Sequence, residues 1–77
     1  MDIIETEKKA EVTKYGVVVK KVEDTFFVDL TITVNHKSGE VDEVIDDIVD
    51  KHDIHYKETL FTDNERLKII EAAKSTF

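Results

Sequence analysis

Cysteine, proline and tryptophan are all missing from this 77-residue sequence, and glycine occurs only twice. The lack of cysteine excludes a disulfide, a thiolate zinc site and a cysteine nucleophile, and it fits a reducing compartment. With no proline, no rigid hinge is marked along the chain. Gly16 and Gly39 stand far apart, so the glycines in series that cradle a phosphate are not there. No apolar run approaches the roughly 18 residues of a membrane span. The opening residues MDIIETEKK lack the basic flank and long apolar stretch of a signal peptide, so the expectation is a cytoplasmic protein without membrane association. Positive charge is also scarce: 11 Lys and Arg against 18 Asp and Glu leave a net charge of −7. Nucleic acids and anionic membranes are polyanions, so direct binding to either is not expected and a basic partner is favoured.

What is present suffices for a packed core. Some 40% of the residues are hydrophobic and 38% are charged, which separates this composition from that of a disordered chain. Residues 1–77 have room for a single domain, and a chain this short buries only about 60% of its unfolded surface, so modest stability is expected. The plainest element is Thr25 to Asn35, TFFVDLTITVN. Phe26, Val28, Leu30, Ile32 and Val34 fall on one side of a pleated strand, and Phe27, Asp29, Thr31, Thr33 and Asn35 fall on the other. One face is core and the other largely wet, as in an antiparallel sheet covered on one side. Upstream, Ala10 and Val12 suggest a short strand, Lys14 to Gly16 a turn, and the β-branched run Val17 to Val22 another strand. A turn at Glu23 and Asp24 sets Val19 opposite Val28 and Val17 opposite Leu30. The same register gathers Val18, Val22 and Phe27 on the wet face, an apolar patch that needs a cover or a partner. Residues 1–9 suit a helix as well as a strand.

Beyond a loop at Asn35 to Gly39, with Ser38 as candidate N-cap, the run EVDEVIDDIVDKHD at 40–53 carries helical periodicity. Projected at about 100° per residue, Val41, Val44, Ile45, Ile48 and Val49 occupy one arc, and Asp42, Glu43, Asp46, Asp47 and Asp50 occupy the opposite one. Ile54 to Phe61 alternates weakly and reads as a fourth strand. Thr62 to Glu65 then forms a capping box. It opens a second helix that buries Ile69, Ile70 and Ala73, with Leu67 and Phe77 as further candidates. The expected fold is α+β: a small two-layer domain in which an antiparallel β-meander of three strands, with a fourth, packs against two amphipathic helices in the order βββα(β)α.

Chemistry is sparse. His52 and His55 form H-x-x-H with Asp50 and Asp53 beside them, but a metal needs ligands that converge, and this pair straddles the expected junction of helix and strand. No hydroxyl or amine is set beside a base in a recognisable pattern. The expectation is no metal, no cofactor and no enzymatic activity. What remains is the acidic helix face. Along a helix axis Asp42 to Asp50 spans roughly 12 Å, one carboxylate per about 3 Å, close to the roughly 3.4 Å phosphate spacing of one DNA strand. The face therefore reads as a protein-interaction module in which Asp42, Glu43, Asp46, Asp47 and Asp50 occupy a basic, nucleic-acid-binding surface of another protein, as an inhibitor would. Small acidic inhibitors encoded by phages and mobile elements share this size and charge. The alternative is a homo-oligomeric structural domain, a homodimer formed through Val18, Val22 and Phe27 or through an unpaired edge strand.

Overall fold

A computed structural model describes residues 1–76; Phe77, a candidate core residue, lies outside the described residues. Five strands, β1 (Asp2–Lys9), β2 (Val12–Lys21), β3 (Asp24–Val34), β4 (Val41–Asp50) and β5 (His55–Tyr56), follow sequence order across one sheet. Each is antiparallel to its neighbour. A 3-10 turn, Glu58–Leu60, leads to α1 (Asp63–Lys74), which packs on one face. The expected pair of helices is corrected: among the described residues α1 is the only α-helix, and the order is five strands followed by one helix.

Residues 2–9 are strand because β2 offers them a ladder, with Ile3 opposite Val17 and Lys9 opposite Val12. β2 itself runs unbroken through Gly16, where a turn is expected. Tyr15 and Val17 are each 1% exposed, and turning at Gly16 would pull Tyr15 out of that core. The tight turns lie elsewhere, at Ala10-Glu11 and Val22-Glu23, and Ala10 and Val22 hold positive φ angles of 45° and 58°. With the second turn one residue earlier than expected, Val19 faces Phe26 and Val17 faces Val28. This is a shift of two residues, which preserves the alternation of side chains, so every residue that stays paired keeps its assigned face, while Val22 passes into the turn.

The expected helix at 40–53 is overturned: β4 is a strand over Val41–Asp50. Two physical effects decide it. Val41, Val44, Ile45, Ile48 and Val49 are all β-branched, which costs rotamer freedom in a helix and suits a pleated surface. In addition, β4 pairs with β3 from Asp50 opposite Phe26 to Val41 opposite Val34, satisfying backbone groups that a helix would leave bare. The helical periodicity has its own source. Asp47 pairs with Asp29 and Ile45 with the next residue, Leu30, leaving Asp46 as the extra residue of a β-bulge. The buried Ile45 and Ile48 are thereby three residues apart, a helical interval inside a strand.

The strand expected at Ile54 to Phe61 contracts to β5, two residues paired with Ile48 and Val49. Ser38 caps no helix. Its loop is a hairpin connection in which Asn35 Oδ1 accepts the N–H of Lys37 at 2.9 Å and of Ser38 at 3.1 Å, and Gly39 takes φ 74°.

The capping box forms as the sequence indicates. Thr62 Oγ1 accepts the Glu65 N–H at 3.1 Å, and Glu65 Oε1 accepts the Thr62 N–H at 2.9 Å. α1 buries Ile69 and Ala73 against Tyr15, Val17 and the inward row of β3, while Ile70 packs alongside and Leu67 stays exposed. Both ends of the helical segment are fastened to β2. Lys21 Nζ donates to the Leu60 carbonyl at 2.7 Å and to Glu65 Oε1 at 3.1 Å, and Thr76 Oγ1 donates to the Tyr15 hydroxyl at 3.2 Å. Phe26 meets Tyr56 and Phe61 edge-on, at centroid distances of 5.3 and 6.1 Å. Among the described residues no helix is long and apolar enough to cross a membrane.

Candidate functional site

α1 covers one face of the sheet, and among the described residues no element covers the other. The strand period places Val18, Phe27 and Val49 on that open face, and the register sets them side by side: Val18 pairs with Phe27, and Phe27 with Val49. Phe27 is 47% exposed and Val44, on the same face of β4, is 43% exposed. Ile4 of β1 adds an exposed apolar side chain beside Gly16. Val22 does not join this row. It stands at the hairpin tip, 95% exposed.

The five carboxylates do not share a face, because a strand sends successive side chains to opposite sides. Glu43 lies opposite Ile32 on the helix side, where its Oε1 takes Lys74 Nζ at 2.7 Å and ties α1 to the sheet. Asp50 lies opposite Phe26 on the same side. It accepts the Tyr56 hydroxyl at 2.7 Å and the N–H groups of His52 and Ile54 at 2.8 and 3.1 Å, so it organises the turn between β4 and β5. The Tyr56 hydroxyl, with those two amides and the nearby His52, holds the Asp50 carboxyl below its ordinary range, and hydrogen bonding to Asp50 pushes the Tyr56 phenol up.

Asp42, Asp46 and Asp47 remain for the open face. Asp42 and Asp47 pair there with Thr33 and Asp29, and Asp46, bulged outward, accepts the hydroxyl of Thr31. Asp29 thus joins the site, directly across from Asp47. Like charges in that position repel, and His55 relieves the repulsion: its Nδ1 lies 2.9 and 3.1 Å from the two Asp47 carboxylate oxygens. The hydrogen bond to Asp47 and the Asp47 charge, with a further contribution from Asp53, raise the His55 pKa. Lys14 and Lys20 project on the same face from β2, so the face is divided, with cations on β2 and carboxylates on β3 and β4.

This arrangement can recognise a cationic, partly apolar surface. Among the described residues no Ser or Thr hydroxyl hydrogen-bonds the His55 ring, whose partner is Asp47. His52 is exposed in the turn, apart from the His55–Asp47 pair, and no cluster of three or more His, Asp or Glu among the described residues could hold a metal. Asp29 is legible beforehand from the alternation of β3. The His55–Asp47 contact is not, because it exists only once 41–56 is folded as a hairpin. No protein-family model matches the chain, and neither does any curated protein or solved structure.

Proposed function

We propose that this chain is a non-enzymatic protein-interaction module that docks a basic surface of another protein onto the open face of its sheet. The observation that carries the reading is the row Val18, Phe27 and Val49, with Phe27 47% exposed, on a face that also carries Asp29, Asp42, Asp46 and Asp47. An aromatic anchor in an apolar centre with a charged rim is the usual anatomy of a protein interface. Asp29, Asp42 and Asp46, which pair with no cation among the described residues, attract a cationic partner and make association fast and salt-sensitive. Imitation of nucleic acid is not part of this reading. In β4 the distance from Asp42 to Asp50 is about 23 Å rather than a helical 12 Å, and Glu43 and Asp50 are engaged on the other face. The absence of cysteine suits a cytoplasmic setting.

The test is affinity capture from a lysate of the source organism at low and high salt, with wild type and Phe27→Lys run in parallel and folding of the variant checked by circular dichroism. The expected result is a basic protein retained by wild type at low salt, released at high salt and missing from the variant. The same proteins retained by both chains at both salts would overturn the reading.

A homodimer is the second reading, favoured by Lys14 and Lys20. Two copies packed face to face about an axis along β3 would set these cations over the β4 carboxylates of the other copy, at the cost of bringing Asp29 near its own counterpart. Sedimentation that stays monomeric across micromolar concentrations would exclude it.

A further inference from the structure

The sheet has two outer edges, and they are not alike. β1 mixes Glu5 and Glu7 with Lys8 and Lys9; mixed charge blunts an edge against further pairing, and the bulge of β1 between Glu5 and Glu7 has its counterpart at Asp46 in β4, so it is the charge that sets the two edges apart. The outer edge of β4 is different. β5 pairs only with Ile48 and Val49, the Ile54 carbonyl accepts the Asp50 N–H, and among the described residues no strand other than β3 pairs with residues 41–47. That leaves about 17 Å of strand with one side unpaired. Every ionisable residue of β4 is a carboxylate. A second β4 would be repelled, while an extended basic segment would find both backbone partners and opposite charge. Glu43, on the helix side, is already taken by Lys74, and Asp47 by His55, so the carboxylates beside this edge that pair with no cation are Asp42 and Asp46. A cleft of about 330 Å³ between Ile45–Ile48 and Tyr56–Glu58 leaves room at its far end.

We propose that the edge of β4 at residues 41–47 takes up an extended basic segment of the partner as an additional strand. Cations at alternate positions of that segment meet Asp42 and Asp46, and an apolar side chain between them lies beside Val44. Main-chain hydrogen bonds supply affinity in such strand addition, and the alternating side chains supply specificity. The inference rests on the reading of a basic partner and adds how that partner is held.

The test uses the full chain, labelled with nitrogen-15, and a peptide capped at both ends with the sequence Lys-Thr-Val-Thr-Lys. A control peptide replaces both lysines by glutamate. Saturable amide shifts centred on residues 41–47, with slowed amide exchange there, are expected for the lysine peptide. Binding should weaken by about tenfold or more for the glutamate peptide and for the Asp42→Asn, Asp46→Asn chain, in which the new side-chain amide oxygen at position 46 can still accept the Thr31 hydroxyl. Shifts centred on β1 or α1, no saturation, or equal binding of the two peptides would overturn the inference. Failure here with Phe27-dependent capture intact sinks strand addition alone, and peptide binding without such capture sinks the open-face reading alone.

Discussion

Val22 sits in the turn between β2 and β3 at φ 58° with its side chain 95% exposed. A β-branched side chain in the left-handed region crowds its own backbone, and nothing buried compensates. Val22→Asn, which tolerates this conformation, is expected to stabilise the fold by about 1 kcal/mol and to raise the unfolding temperature by about 4–8 °C for a domain of this size. An unchanged or lower melting temperature would count against it. At the start of α1, Thr62→Ala removes the hydroxyl that accepts the Glu65 N–H and should cost about 1 kcal/mol in denaturant unfolding. His55 supplies a pH dependence. Its folded pKa is raised above 6.5 by Asp47, so the protonated ring is favoured in the folded state. The stabilisation is fully present below pH 6.5 and is lost as pH rises through the raised value. A proton NMR titration of the ring should show that elevation, and Asp47→Asn should return it toward 6.5. The capping box is readable in the sequence because both partners lie within three residues. The His55–Asp47 contact spans a hairpin, so no local pattern announces it.

The strands differ in how plainly they can be read. β3 alternates without interruption, so its inward and outward rows follow directly from the sequence. β4 carries a bulge, and one extra residue turns a period of two into an apparent helical stripe. The competing signal, β-branching at every apolar position of β4, points the right way and is outweighed by the periodicity. β2 is obscured by Gly16, which reads as a turn residue although its strand runs through it. If Asp46 is the extra residue, its deletion leaves Ile45 and Ile48 facing the core across a regular ladder. The deletion variant should fold, with a β-rich circular dichroism spectrum and a cooperative thermal transition. Deleting Asp29 from β3 instead moves Phe26 and Val28 to the open face relative to Leu30 and Ile32, and should abolish the transition. Equal tolerance of the two deletions would contradict the assigned bulge.

At the scale of the molecule, the net charge of −7 is legible in the composition, while its distribution depends on β4. Read as a helix, the segment shows five carboxylates on one surface; as a bulged strand it gives Glu43 and Asp50 to internal contacts and leaves Asp42, Asp46 and Asp47 on the open face that also carries Phe27. The apolar row is readable in part, since Val18 and Phe27 follow from strand alternation, whereas Val49 requires the strand identity of β4. The most direct test of the proposed docking face compares two variants that each remove two negative charges, Asp42→Asn with Asp46→Asn on the open face, and Glu43→Gln with Asp50→Asn on the helix side. Both lower the net charge equally, so a nonspecific attraction would weaken by the same factor in each. Partner affinity, measured by calorimetry at low salt, is predicted to fall by about tenfold or more for the open-face pair and to stay within about twofold for the helix-side pair. Equal losses, or a larger loss from the helix-side pair, would contradict the account.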